Sequence, residues 1–162
     1  MKLSRIIKTS LFAAVFTLGS AAVAATVNLS GTVASTANVT AVATSSAGAL
    51  DMGGEGVDIG QQIVKVADVT MSTNNATGLT LTVTSGDLSN GTDSVAYQVT
   101  TVADEAAAPV GADFTVPSGT DYTYSNSTSG SEDRDLYIAY TPPILLDPGT
   151  YTGTITLTVA DN

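Results

Sequence analysis

The chain has 162 residues, no cysteine, no histidine and no tryptophan, and its 15 acidic side chains face five basic ones. These counts exclude disulfide staples, thiol and imidazole catalysis and soft-metal sites. Lys2, Arg5 and Lys8 lie ahead of an apolar run, so the rest of the chain sets two cations, Lys65 and Arg134, against all 15 acids, a net −13. A phosphate backbone needs clustered Lys and Arg, which excludes nucleic acid as a partner.

Residues 1–24 read as a secretory signal peptide, with the basic start, the apolar run Leu11 to Leu18, and Ala22-Val23-Ala24 as the cleavage site. That run is too short for a permanent span and no later stretch is long enough, so the mature form is expected to have no membrane span. About 138 residues remain, enough for one domain with a single core.

Thr26 to Ala34 alternates with a period of two: Val27, Leu29, Gly31 and Val33 on one side, Asn28, Ser30 and Thr32 on the other. Such alternation predicts a strand with one dry face. In Asn38 to Ala43, Val39 and Val42 cannot share a strict alternation, and the register stays open. A loop of Ser, Gly and Ala then leads to Leu50-Asp51-Met52 and is broken by Gly53, Gly54 and Gly56.

Ile63 to Met71 is a predicted strand with Ile63, Ala67, Val69 and Met71 on one face and Lys65 interrupting it, as at an edge or a bulge. Asn74 to Gly78 supplies turn chemistry, making a hairpin with Leu79, Leu81 and Val83 as its second arm. Ser85 to Thr92 reads as a turn region, and Val95, Tyr97 and Val99 mark the next strand. Asp104 to Gly130 is a long surface excursion holding one short strand at Phe114 and Val116. Leu136, Ile138 and Tyr140 alternate until Pro142-Pro143 stops them.

Asp147-Pro148-Gly149 turns the chain into a last strand, Gly149 to Ala160. There Tyr151, Gly153, Ile155, Leu157 and Val159 share one face and five threonines the other. With no long pattern of period 3.6, the fold class is all-β, a sandwich.

Catalysis finds little support. A Ser–Lys pair would need Lys65, a lone lysine in a strand, and Asp51, Glu55 and Asp58 lie among glycines with no aromatic platform for a sugar. No cofactor is expected. Calcium is the one metal the side chains allow, but neither Asp51/Glu55/Asp58 nor Glu132/Asp133/Asp135 has the spacing of an EF-hand loop, so no metal site is assigned. The second cluster reads as a solvated loop in which Arg134 partly neutralises its neighbours.

The two bracketing strands resemble those of a pilus subunit of the chaperone–usher kind. Thr26-Val27-Asn28-Leu29-Ser30-Gly31-Thr32-Val33 resembles the N-terminal donor strand of such pilins, Gly31 matching the glycine among its inward positions. Tyr151-Thr152-Gly153-Thr154-Ile155-Thr156-Leu157-Thr158-Val159 resembles the C-terminal strand that flanks the acceptor groove and pairs with a periplasmic chaperone.

This resemblance implies an immunoglobulin-like sandwich over residues 35–162 that lacks its seventh strand. A chaperone completes it first, and residues 25–34 of the next subunit complete it afterwards. The implied partners are the periplasmic chaperone, the outer-membrane usher and further copies of the same chain in a cell-surface fimbria serving adhesion or biofilm formation. The donor plug would be Val27, Leu29, Gly31 and Val33; the groove wall would be Tyr151, Gly153, Ile155, Leu157 and Val159.

The disulfide that many pilins carry is absent, and Asp161 stands where many have a penultimate tyrosine. Both place the chain beside a cysteine-free branch, similar to the alternate-class fimbrial major subunits. The rival expectation is a complete, monomeric immunoglobulin-like module that binds carbohydrate or protein through Phe114, Tyr122 and Tyr124.

Overall fold

Valine, threonine and leucine dominate the alternating stretches, and the computed structural model, which describes residues 26–162, turns nearly all of them into strands. The expected signal peptide, residues 1–24, lies outside the described residues. In chain order the strands are β1 (Ala37–Ala43), β2 (Gln62–Thr73), β3 (Leu79–Thr84), β4 (Asp87–Ser89), β5 (Ser94–Ala103), β6 (Tyr122–Ser125), β7 (Gly130–Tyr140) and β8 (Thr156–Asp161). Two short 3-10 turns, Ser45–Gly48 and Gly111–Asp113, complete the regular structure.

The strands form two antiparallel sheets, one ordered β1-β2-β7-β5-β4 and the other β6-β3-β8. They share a core. Leu79, Leu81 and Val83 of the small sheet are fully buried against Val69, Met71, Val99, Leu136 and Ile138 of the large one. The threonines between them in β3 stay partly exposed, as a strand with one dry face requires.

The interruption expected at Lys65 is a β-bulge: the β2–β7 register shifts between Lys65 and Ala67. One extra residue reverses the parity of side chains along a strand. Ile63 therefore does not share a face with Val69 and Met71 as the alternation predicted. It packs on the outer face of the large sheet with Phe114, Tyr137 and Ala139, in a second small cluster.

Other expectations are corrected as well, the first being the hairpin at Asn74 to Gly78: the two strands it joins, β2 and β3, lie in different sheets and do not pair with each other. Thr26 to Ala34 forms no strand; alternation alone makes no ladder, because each extended peptide group needs a neighbouring strand to bond. The strand expected at Phe114 and Val116 is absent. Both carbonyls there accept from the side-chain amide of Gln98, at 3.0 and 2.8 Å, and the strand of that excursion is β6. Conversely, the stretch Ser85 to Thr92, read as turn, contains β4, three residues with only Leu88 buried.

The last strand is shorter than its alternation. β8 begins at Thr156, because its partner β3 ends at Thr84, opposite it, and the chain crosses from there to β4 in the other sheet. Residues 149–155 follow that crossover. They touch β4 by a single bridge, Ser89 to Thr152, and Tyr97 donates its hydroxyl to Thr154 O at 2.9 Å.

Glu132, Asp133 and Asp135 belong to β7 rather than to a solvated loop. Arg134 and Glu132 point inward where the two sheets meet. The Arg134 guanidinium lies 3.5 Å from the ring centroid of Tyr124 in β6, donates to Thr101 Oγ1 and Thr101 O, and pairs with Glu132 at 3.0 Å. Tyr124 and Asn126 also donate to Glu132. Burial by itself would raise the Glu132 carboxyl, but the hydrogen bonds from Asn126, Tyr124 and Arg134 outweigh it and hold it below its usual range.

Candidate functional site: an open apolar groove

The other side of the two-sheet unit is not closed. Among the described residues β1 is bonded only to β2, and β8 only to β3, so each sheet presents one unpaired edge there. β1 passes close to β8 without pairing with it. Between these edges runs a groove of about 340 Å³.

Its floor is the inner face of the large sheet, with Val66 and Ala67 at the bulge and Leu136 and Ile138 beside them. One wall is Ala41 and Ala43 of β1, continued by Ala47 and Leu50. The other is Ile155 and Leu157, and Leu88, Tyr97 and Gly153 close the far end. Ala41, Ala43 and Ala47 line the groove with methyl groups where longer side chains would fill it, over a floor whose residues are themselves buried. A second recess of about 430 Å³ continues past Leu50, Met52 and Gly153 to Tyr151.

Leu157, Ile155, Gly153 and Tyr151 thus fall on one line at alternate residues. That line spans about 20 Å at the usual rise of a strand. Val159 is half-buried against the core beyond it. Gly153 has no room for a side chain, since a Cβ there would lie 2.9 Å from Asp87 O and 3.2 Å from Leu88 Cδ2. Tyr151 donates its hydroxyl to Asp147 O at 2.9 Å, which orients the ring at the recess.

The β1 wall and the floor are absent from the sequence-based site. Their signal was present in the odd-numbered run Ala37, Val39, Ala41, Ala43, which faces inward. Val42, 67% exposed, points the other way and obscured it.

Val27, Leu29 and Gly31 belong to a separate unit, residues 1–32, while Val33 begins the unit that carries the groove. Val27, Leu29 and Val33 are 80%, 91% and 90% exposed, and no described residue approaches within 4 Å of a Cβ built at Gly31. Val27, Leu29, Gly31 and Val33 remain the apolar set of that alternation, with their side of it unburied.

The aromatic residues proposed to contact a ligand are occupied internally. Phe114 is buried; Tyr122 shares a hydrogen bond with Thr101 Oγ1, and Tyr124 is held by Glu132 and Arg134. The Tyr97 and Tyr140 hydroxyls donate to backbone carbonyls, and burial pushes both phenols up, away from neutral.

On the outer face of the large sheet, carboxylate oxygens of Asp68, Asp104 and Asp135 lie within 4.8 Å of one another. Lys65 stands among them, its Nζ 2.7 Å from the buried Asp135 and 2.6 Å from Asp68. Hydrogen bonds to Asp135 and then Asp68 raise the lysine above its ordinary value. The ammonium thus already pairs with two of the three carboxylates, and three carboxylates fall short of the six to eight oxygens calcium prefers. Asp51 and Asp58 cap exposed turns, accepting from Gly53 N–H and Gly60 N–H.

Comparison with protein-family models, with characterised proteins and with solved structures found no match.

Proposed function

We propose that the chain is the structural subunit of a bacterial surface pilus or fimbria, an incomplete immunoglobulin-like sandwich whose groove receives a strand donated by another copy. The observation that carries this reading is the pair of unpaired strand edges flanking an apolar groove, in a chain that also holds an exposed four-position apolar alternation.

The strand order supports it. In the constant-type immunoglobulin arrangement one sheet is ABED and the other CFG. In this reading β1, β2, β7 and β5 correspond to A, B, E and D and β3 and β8 to C and F, with β4 and β6 as added edge strands, and the G place would fall at the free edge of β8 beside the groove. An extended segment laid there would bond to the free edge of β8 and drop alternate side chains onto the floor, the mode of recognition known as strand addition.

Burial of Val27, Leu29 and Val33 would contribute about 1.5–3 kcal/mol each before ordering costs. In this reading the chain is exported through the periplasm, is held there by a chaperone that fills the groove, and passes an outer-membrane usher into a homopolymer that serves adhesion. Subunits of net charge −13 repel one another, so assembly should strengthen with salt.

The experiment is assembly of the exported chain, followed by electron microscopy and by gel electrophoresis without boiling. Fibres and boiling-sensitive ladders are expected for the native chain. Leu29→Asp should give monomers that bind a synthetic peptide of residues 26–34. Stable native monomers, or a Leu29→Asp chain indifferent to the peptide, would sink the proposal.

A further inference from the structure

Asn74, at the end of β2, holds the chain ahead of β1. Its backbone N–H donates to Thr36 O at 3.2 Å, one step beyond the terminal β1–β2 pair of Ala37 with Thr73. Its side-chain amide then substitutes for the next peptide group of a ladder. Oδ1 accepts from Thr36 N–H and Nδ2 donates to Ala34 O, both at 2.9 Å. The β2 chain cannot offer that peptide itself, because it turns away at Asn75, whose N–H donates to Thr73 Oγ1, toward Gly78 at φ 85°. Ala34 to Thr36 are thereby held in line with β1.

That line constrains which strand can fill the groove. Ala37 pairs with Thr73, and Asp161 pairs with Leu79 just across the turn that carries the chain from β2 in one sheet to β3 in the other, so the start of β1, Asn74 and the end of β8 share one end of the unit. A segment entering the groove of its own domain would have to reverse direction between Ala34 and Ala37. The tightest strand reversal takes about two residues out of the ladder. The residues available for it are the ones Asn74 keeps straight.

We infer that Asn74 is a positioning residue that disfavours insertion of residues 26–34 into their own domain and so reserves the groove for the same segment of a second copy. The inference rests on the strand-donation reading above. Asn is suited to the role because one planar amide both accepts from Thr36 and donates to Ala34; alanine does neither, and aspartate only accepts.

The test compares the full native chain with Asn74→Ala and Asn74→Asp, by size-exclusion chromatography, unboiled gels and limited proteolysis of residues 26–34. Asn74→Ala should raise the ratio of monomer to polymer about tenfold, the equivalent of about 1.4 kcal/mol. Its monomer should carry residues 26–34 protected from protease, and Asn74→Asp should fall between. An Asn74→Ala chain that polymerises like the native one, with that segment equally cleavable, overturns the inference.

Folding is controlled by adding Leu29→Asp to each chain and titrating with the 26–34 peptide. Binding by the Leu29→Asp/Asn74→Ala chain at least as tight as by Leu29→Asp alone keeps the positioning role. Loss of binding only with Asn74→Ala places the residue's effect on the groove and ends that role. Peptide that fails to bind Leu29→Asp alone removes the strand-donation reading and this inference with it.

Discussion

The two long sides of this two-sheet unit are built differently. On one, β6 lies over β5, and Arg134 ties the sheets together through Thr101, Glu132 and the Tyr124 ring. On the other, β1 passes close to β8 without bonding to it, and a groove lined by alanines over a buried apolar floor runs between the sheets. The first side satisfies its own polar groups and buries its own side chains. The second leaves two rows of backbone groups and half-buried Ile155 and Leu157 for something else to cover. An edge of this kind is normally blunted by charge, proline or a covering loop; here the groove-facing wall of β1 is alanine.

The contrast can be broken most forcefully in the closed core. Leu81→Ala, at a fully buried position, should lower the unfolding free energy by about 2–5 kcal/mol. Leu157→Ala in the groove should cost less in the isolated chain and more once the 26–34 peptide is bound. Chemical denaturation with and without peptide measures both, and equal losses at the two sites would show that the sides do not differ.

Arg134→Ala strips the closed side of its cation. It leaves Glu132 partly buried without its ion pair and Thr101 O without its donor, at a cost of about 3 kcal/mol by the same assay. A loss below about 1 kcal/mol would mean that the clasp is dispensable. Gly153→Ala tests the groove's closed end, where the new Cβ meets Asp87 O; crowding of this kind costs about 1–3 kcal/mol. Peptide binding should weaken with it, and unchanged binding would move the groove's end elsewhere.

The smallest expected effect is a pH dependence. Glu132 is held below its usual range when folded, so the stability it contributes is fully present above the unfolded carboxylate value. It is lost as pH falls through the lower, folded one. Glu132→Gln should therefore flatten the acid limb of the stability curve below about pH 4.5 and leave the groove's peptide affinity unchanged. An acid limb identical to that of the native chain would discount the clasp as its source.

Much of this was legible in the residues. The alternations around Leu79, Val99, Ile138 and Leu157 mark strands because a side-chain period of two has few other uses in water. Lys65 in an apolar run signalled an edge or a bulge, and of the two the structure has the bulge. The alternation of Thr26 to Ala34 was equally clear and yields no strand, since a pattern specifies which face is dry but not which neighbour dries it. Phe114 misled for a related reason: its burial is against the outer face of another strand, and its carbonyls are met by a side chain from Gln98.

By itself the sequence determined the all-β class, the net charge, the absence of thiol and imidazole chemistry, and one apolar wall, because these follow from composition and local period. Only the tertiary structure decided that, among the described residues, β1 and β8 do not pair with each other, that Ala41 and Ala43 line the groove between them, and that Arg134 and Glu132 point between the sheets rather than into a loop. Strand partnership and burial depend on residues far apart in the chain, such as Val66 and Leu157, which line one groove, or Tyr124 against Arg134. No local pattern encodes which distant strand will arrive.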